Sequence, residues 1–296
     1  MRILVPTDFS PLSDAALAHA RVIGAGLGTS LHLLHVAAAS SSPALAAATM
    51  SALRQRLTDD ERDAGGLEGI AEGPDAAAEI TDYAARAGIG LVVMGTHGRS
   101  GLAHLLVGSV AERVIRTAPC PVLTVHGAPA GPFRRILVPT DFSEPAEAAF
   151  EWARVMARRF GASLHLLHVL SDVRADGSFG ADALADESPD ARTLRLADAR
   201  ERLAHHLTAV DRAGLHATSE VILGPSASVV ADYAGDNGVD LIVMGTHGRT
   251  GLAHLVIGSV AERVVRSAAC PVLTTRAVRP ALAPALMTIA AERAPA

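Results

Sequence analysis

Short apolar segments alternate with longer amphipathic segments along the chain. ILVPTD near the N-terminus is an apolar run that predicts a strand, and LHLLHV (31–36) predicts the next one. Between them, Leu12, Ala15, Ala16 and Ala20 recur with a period near 3.6, which predicts a helix that Ser10 can cap. Strands separated by helices of this length favour parallel pairing with right-handed crossovers. The pattern predicts an α/β fold.

The same alternation continues to the end of a five-strand unit. A longer helix is predicted over about 44–63, then a weak, glycine-interrupted third strand in LEGIAEG. GPDAAAEITDYAARAG and SVAERVIRTA predict the remaining helices, and LVVMG and PVLTV the remaining strands. We therefore expect a doubly wound parallel sheet, which binds ligands beyond the carboxyl ends of its strands, where the strand order reverses.

The chain repeats this unit. RILVPTDFS at 2–10 returns unchanged at 135–143, and the block at 95–124 returns with few changes at 245–274. The second copy has a longer helix pattern over about 189–213 and a clearer third strand in HATSEVIL. The repeat predicts a tandem duplication, with a surface-loop insert at 171–188. The predicted limits are domain one at 1–126, a Gly/Pro-containing linker at 127–133, domain two at 134–276 and a tail at 277–296.

Composition narrows the class of protein. The formal net charge of the 296-residue chain is −5, which argues against a general nucleic-acid binder. No apolar run approaches the roughly 18 residues of a membrane span, and a strand pattern begins at residue 3, so neither a membrane protein nor a signal peptide is expected. Cys120 and Cys270 occupy equivalent positions, as expected for buried free thiols. These features predict a cytoplasmic protein.

A glycine-rich segment follows the fourth predicted strand of each copy. Gly95 and Gly98 are followed, after nine intervening residues, by Gly108 and Ser109, and the second copy keeps this spacing with Gly245, Gly248, Gly258 and Ser259. Glycines here can adopt positive φ and let backbone amides approach an anion. Ser109 with Glu112, and Ser259 with Glu262, predict capping boxes at helix N-termini, which attract phosphate. Tight turns alone are the alternative; the spacing kept in both copies favours phosphate binding.

A carboxylate ends the first strand of each copy. Asp8 and Asp141 would repel a triphosphate, so we place them at the ribose hydroxyls or the adenine edge. The alternative is that each caps the following helix, although a serine lies nearer that helix. Pro6 and Pro139 stiffen the strand ends.

The loop after the fourth strand also carries cations. His97 and His247 can face phosphates or solvent, or act as general acid–base groups, while Arg99 and Arg249 can pair with phosphate or simply be exposed. The two histidines of each LHLLHV segment fall on opposite faces of a strand, so a shared metal ion is not expected.

Taken together, PTDFS, LLHV, LVVMG or DLIVMG, and GTHGRSGL…GSVAERV…CPVL resemble the universal stress protein family, tandem type, over 1–125 and 134–275. The pattern G-x-x-G-x9-G-[ST] resembles its ATP-binding branch. The resemblance implies two Rossmann-like domains of the adenine nucleotide α-hydrolase-like type, each a five-stranded parallel doubly wound sheet of order 3-2-1-4-5.

The resemblance also implies a ligand and its contacts: ATP, ADP or AMP, with or without Mg²⁺. Asp8 and Val36 would hold the ribose and adenine, and the ribose and phosphates would be lined by Met94, Gly95, Gly98, Gly108, Ser109 and Val110. The matching positions are Asp141, Val169, Met244, Gly245, Gly248, Gly258, Ser259 and Val260. Gly90 stands where the second copy has Asp240, and the third strand of the first copy is predicted to be shorter. The alternative that only the second copy binds a ligand therefore remains.

The sequence leaves three alternative functions for the protein. The first is an adenine-nucleotide-binding regulatory protein of the stress response; the others are a slow ATPase and a ligand-free interaction module. The chain lacks a Walker A sequence and an SGGxD loop, which favours a binding protein over an enzyme. The family resemblance further implies that strand 121–125 pairs with 271–275 within the chain as a pseudo-dimer, and that two chains form a homodimer.

Overall fold

The chain divides into two compact units. The residues up to Pro132 belong to the first unit and most residues from Phe133 onward belong to the second, whereas the last-strand residues from Leu273 group with the first. The predicted domain limits and linker stay a prediction, and the predicted insert and tail lie outside the described residues. The computed structural model describes residues 1–38, 42–96, 108–170, 189–248 and 257–276.

The first copy is a parallel sheet with helices in the connections. Its strands follow the order β3-β2-β1-β4-β5, which confirms the predicted order 3-2-1-4-5. The elements are β1 (Arg2–Pro6), α1 (Pro11–Leu27), β2 (Ser30–Ala37), α2 (Pro43–Arg54), α3 (Asp59–Asp63), β3 (Leu67–Glu72), α4 (Ala76–Arg86), β4 (Leu91–Gly95), α5 (Ser109–Thr117) and β5 (Val122–Val125).

The second copy repeats this architecture. Its strands follow the order β8-β7-β6-β9-β10, with parallel pairing of β6 to β7, β6 to β9 and β7 to β8. The elements are β6 (Arg135–Pro139), α6 (Glu144–Phe160), β7 (Ser163–Leu170), α7 (Pro189–His206), α8 (Ala209–Gly214), β8 (Thr218–Leu223), α9 (Ser226–Asp236), β9 (Leu241–Gly245), α10 (Ser259–Ser267) and β10 (Val272–Thr275).

The central strands form the core of each copy. Ile3, Leu4 and Val5 of β1 are fully buried, and the same holds for the identical apolar run of β6. Successive side chains of a strand point to opposite faces, so a run buried throughout must be covered on both faces. The continuous apolar runs, rather than alternation, were therefore the correct strand signal.

The long helix predicted after the second strand is wrong in both copies. Two helices stand in each place, and the second begins at a threonine capping box. The Thr58 hydroxyl accepts from the Glu61 amide at 3.2 Å, and the Glu61 carboxylate accepts from the Thr58 amide at 2.7 Å. Thr208 and Asp211 make the same reciprocal pair. Because these side chains satisfy backbone groups at a new helix start, the chain turns there although its apolar period continues.

The predicted shorter third strand is also wrong. β3 and β8 each have six residues, because pairing with β2 holds Gly69 in the strand opposite Leu34.

Gly90 and Asp240, which precede the fourth strand of the two copies, have different neighbours. Asp240 accepts hydrogen bonds from the amides of Arg134 and Arg135, which lead into β6. In the first copy the Met1 side chain lies against Gly90, where a Cβ would collide with it. The two copies therefore secure the start of their first strand differently.

Both cysteines are free, Cys270 buried and Cys120 half-buried. Burial raises the pKa of Cys120 to about 12 and that of Cys270 to about 11, so neither thiol ionises readily. Across the described ranges, no helix has both the length and the apolar content needed to cross a bilayer.

Candidate functional site

A cavity lies at the carboxyl ends of the strands in each copy, beside the central pair of first and fourth strands. It measures about 270 Å³ in the first copy and about 500 Å³ in the second. Strand order reverses at this pair, since β2 lies on one side of β1 and β5 on the other side of β4. The cavities thus occupy the position where doubly wound sheets bind ligands.

Most of the predicted site residues line these cavities. In the first copy they are Pro6, Asp8, Val36, Met94, Gly95, Gly108, Ser109 and Val110. In the second copy they are Pro139, Asp141, Val169, Met244, Gly245, His247, Gly248, Gly258, Ser259 and Val260. The predicted residues His97, Gly98, Arg99 and Arg249 lie outside the described residues.

A tight turn after the first strand holds each carboxylate. In the second copy, Oδ1 of Asp141 accepts from the amide of Ser143 at 3.1 Å and from its hydroxyl at 2.5 Å. In the first copy, Oδ1 of Asp8 accepts from the Ser10 amide at 3.1 Å, while the Ser10 hydroxyl caps α1 by accepting from the Ser13 amide. The N-cap residues are Ser10 and Ser143, so the alternative that the aspartates cap these helices is wrong. One carboxylate oxygen orders the turn before the helix, and both aspartates line their cavities.

The residue after each aspartate has strained backbone geometry. Phe9 and Phe142 have φ of 64° and 62°, a region that costs a bulky residue about 1–3 kcal/mol. In the first copy, the Phe9 ring packs on His35 at 4.8 Å, and Arg56 lies 4.8 Å from the ring centroid. His35 Nδ1 in turn donates to the Thr7 carbonyl at 2.8 Å. These contacts stabilise the turn that places the carboxylate.

The second copy has the same support from different residues. Phe142 packs on His168 at 4.8 Å, with Arg202 of α7 at 4.3 Å from its centroid, and His168 Nδ1 donates to the Thr140 carbonyl at 2.7 Å. These supporting residues were not predicted from the sequence. The signal that could have found them is the unchanged PTDFS segment paired with a histidine in each LHLLHV segment.

The predicted capping boxes at α5 and α10 are wrong. The N-cap residues are Gly108 and Gly258, and neither helix start has a side-chain cap hydrogen bond. Ser109 and Ser259 are the first helical residues, so their hydroxyls do not occupy the N-cap position. A glycine cap brings the first-turn amides to the cavity without a side-chain acceptor over them, and such amides attract anions.

The site glycines provide space rather than unusual backbone angles. Among the described glycines of the two sites, none has positive φ, so that expectation is wrong. A Cβ on Gly248 would lie 2.6 Å from Oδ2 of Asp141, and a Cβ on Gly245 would lie 2.8 Å from Cβ of Pro145. A Cβ on Gly258 would lie 3.1 Å from the Thr246 carbonyl oxygen. The close approach of backbone to the site is what requires glycine here.

The strand-two histidines have separate partners. His32 Nδ1 lies 2.9 Å from the Tyr83 hydroxyl, whereas His35 binds the Thr7 carbonyl on the other face of β2. Burial lowers the pKa of His32. Within the described ranges, no group of three His, Cys, Asp or Glu side chains is placed to hold a metal ion.

Both halves of the chain match one protein family. The model of the Universal stress protein family matches the chain twice, at residues 1–126 and 132–276. The chain belongs to the universal stress protein family. The match in both halves agrees with the duplicated sheet and the duplicated cavity.

Relatives of this universal stress protein include bacterial and archaeal members of the family. A universal stress protein of Mycobacterium tuberculosis is 32% identical over 196 residues, covering 63% of this chain and 61% of that relative. The chain thus matches less than two thirds of that relative's length. A universal stress protein of Methanocaldococcus jannaschii is 32% identical over 149 residues, covering 49% of this chain and 82% of that relative.

A solved structure extends the similarity over nearly the whole universal stress protein chain. A universal stress protein from Archaeoglobus fulgidus superposes with a TM-score of 0.67 at 21% identity, covering 93% of this chain and 98% of its own. At this identity the similarity concerns the fold alone, and it supports two α/β sheets in one chain.

Proposed function

We propose that each half of the chain binds an adenine nucleotide, ATP or its products ADP and AMP, and that occupancy regulates a stress-response role. One observation carries the proposal. In each copy, a single cavity brings a fixed carboxylate, Asp8 or Asp141, together with a glycine-capped helix N-terminus. A nucleotide carries hydroxyls at one point and anionic oxygens at another, and these two features match those groups.

The charges orient the proposed ligand. The phosphates face the N-terminus of α5 or α10, where free amides and the helix dipole favour negative charge. Asp8 or Asp141 accepts hydrogen bonds from the ribose hydroxyls, because a carboxylate repels phosphate. The base then lies toward Val36 or Val169, on the side of the second strand.

The local geometry fits such a ligand. A Cβ on Gly248 would meet the Asp141 carboxylate and a Cβ on Gly258 would meet the Thr246 carbonyl, so glycine allows close packing of the cavity wall at both positions. The Gly258 amide donates to the Thr246 carbonyl at 2.8 Å, so the amides offered to the phosphates are those of the first turn of α10. His247 lines the same cavity, with Nδ1 3.0 Å from the Thr246 hydroxyl oxygen, and supplies a further polar group beside the phosphate end. Mg²⁺, where present, would arrive with the phosphates of the nucleotide.

The test begins with the freshly purified protein. Mass spectrometry of acid-released small molecules should identify an adenine nucleotide, and calorimetry of nucleotide-free protein with ATP, ADP and AMP should show binding. The variant Asp141→Asn retains an acceptor for Ser143 but loses the charge, and should weaken binding at one site about tenfold. Asp198→Asn, on the exposed side of α7, is the matched control.

Absence of bound nucleotide together with no heat at millimolar ATP would refute the proposal and favour a ligand-free interaction module. ATP turnover that is abolished by Asp141→Asn would instead establish an ATPase.

Assembly and location are further parts of the proposal. We propose that the last strands, 121–125 and 271–275, pair within the chain as a pseudo-dimer, that two chains form a homodimer, and that the protein acts in the cytoplasm without binding nucleic acid or membrane. The support is the family resemblance, the net charge of −5 and the apolar pattern. Sedimentation should give twice the 30.4 kDa chain mass, and a single-chain mass would refute the homodimer.

A further inference from the structure

One wall of the second cavity comes from the helix that follows β7. Arg195 of α7 is half-buried and lines this cavity. Ala199 and Leu203 lie four and eight residues further along the same helix and are buried. Residues at this spacing share one helix face, so Arg195 belongs to the face of α7 that packs on the sheet.

The first copy has no arginine at the corresponding position. The capping-box threonines Thr58 and Thr208 set the register between α2 and α7, and the buried pair Leu53 and Leu203 agrees with it. In this register Leu45 corresponds to Arg195. Leu45 is 56% exposed and is not among the residues that line the first cavity. The two cavities therefore differ in charge at this wall as well as in volume.

The topology places Arg195 at the end of the cavity away from the phosphate-binding amides. α10 follows β9, and its N-terminus lies on one side of the central pair β6 and β9. α7 follows β7, which pairs with β6 on the opposite side. Val169 and Leu170 at the end of β7 line the cavity on that same side. Arg195 thus stands where the proposed ligand places its base.

We propose that Arg195 contacts the purine base in the second site, and that it makes the two sites of the chain unequal in their recognition of the base. The inference rests on the proposed function, since it concerns the same ligand. A guanidinium is planar and always charged; it stacks on an aromatic face and donates to ring nitrogens. Among the described residues that line the first cavity, none is an arginine.

The experiment compares a ligand that has a base with one that has none. Nucleotide-free protein is titrated by calorimetry with ATP and, separately, with inorganic tripolyphosphate. Arg195→Ala should weaken ATP binding about five- to thirty-fold at one of two sites, the range of a desolvated cation–π contact. Tripolyphosphate binding should change less than twofold. Arg200→Ala, an exposed arginine of the same helix, is the matched control.

Each outcome decides between the two proposals. If the wild-type protein binds no ATP, both fail. If it binds ATP and Arg195→Ala leaves both sites unchanged, only this inference is overturned. An equal loss for ATP and tripolyphosphate also overturns it, because the arginine then acts on the phosphates or on the fold. Arg195→Gln, which preserves the length of the stem, repeats the test if the alanine variant shows a lowered thermal midpoint.

Discussion

Gly248→Ala places a methyl group inside the second site. A Cβ at this position would lie 2.6 Å from Oδ2 of Asp141, a separation that carbon and oxygen atoms do not tolerate without movement. The carboxylate is not free to turn away, because its Oδ1 accepts from the amide and the hydroxyl of Ser143. Relief of the collision therefore displaces either the carboxylate or the backbone that leads from β9 to α10.

Either displacement weakens the proposed contacts of the ribose. A hydrogen bond to a charged acceptor contributes about 1.5–3 kcal/mol, which corresponds to a loss of affinity of about 10- to 150-fold at the second site. The first site should retain its affinity, because its own carboxylate, Asp8, belongs to the other copy. The variant should thus convert a two-site binding curve into one strong and one weak site.

Calorimetry with ATP measures both sites in one titration. Gly235→Ala is the matched control: a Cβ there meets no heavy atom within 4 Å, and Gly235 lies inside α9, so the variant should gain about 0.5–1 kcal/mol of stability with unchanged binding. Wild-type affinity at both sites in Gly248→Ala would refute the reasoning, since it would mean that the carboxylate and the glycine segment do not act on one ligand.

Three further predictions concern stability. Asp211→Ala should lower the free energy of unfolding by about 3–5 kcal/mol in urea titrations, because the carboxylate is 1% exposed and pairs with Arg154 at 2.5 Å; a loss below 1 kcal/mol would contradict this. Thr58→Ala should lower the free energy of unfolding by about 0.5–2 kcal/mol, because the capping box is lost. An unchanged free energy of unfolding would mean that the helix break has another cause. Burial lowers the pKa of His32 and His165 in the folded state, so the unfolded chain binds more protons as the pH falls below about 6.5. The free energy of unfolding should therefore decrease below this pH. Replacing both histidines by Asn should flatten the dependence of the free energy of unfolding on pH between pH 7.5 and 5.5.

The sheet could be predicted from the sequence because its signals are local and occur twice. The fully apolar ILV run before PTD marks a strand covered on both faces, and its exact repetition at 135–143 fixes the relation between the halves. The strand order came from the family resemblance, since local patterns do not determine which strands pair. The positions of Asp8 and Asp141 at strand ends also followed from the pattern.

The remaining features depend on contacts that no local pattern specifies. A threonine and an acidic residue three positions later were overlooked inside an apolar period, although Thr58 and Glu61 break the helix. The serine after Gly108 was taken as the cap, but the glycine itself occupies that position. The positive φ of Phe9 is stabilised by His35 and Arg56, which lie far from it in the chain, so sequence periodicity could not reveal it.

The two copies agree at one end of the proposed site and differ at the other. Both halves have a carboxylate turn and a glycine-capped helix, with nearly the same φ at the phenylalanine that follows each aspartate. The helix after the second strand differs between the copies: Arg195 stands where the first copy has Leu45, and the cavity beside Arg195 is larger. If the proposed nucleotide binds, a shared anion end combined with a different base end is what two sites of different base selectivity require, since nucleotides share a sugar and phosphates. Duplication allows this arrangement, because one copy can change at the proposed base wall while both retain the groups proposed to hold the anion.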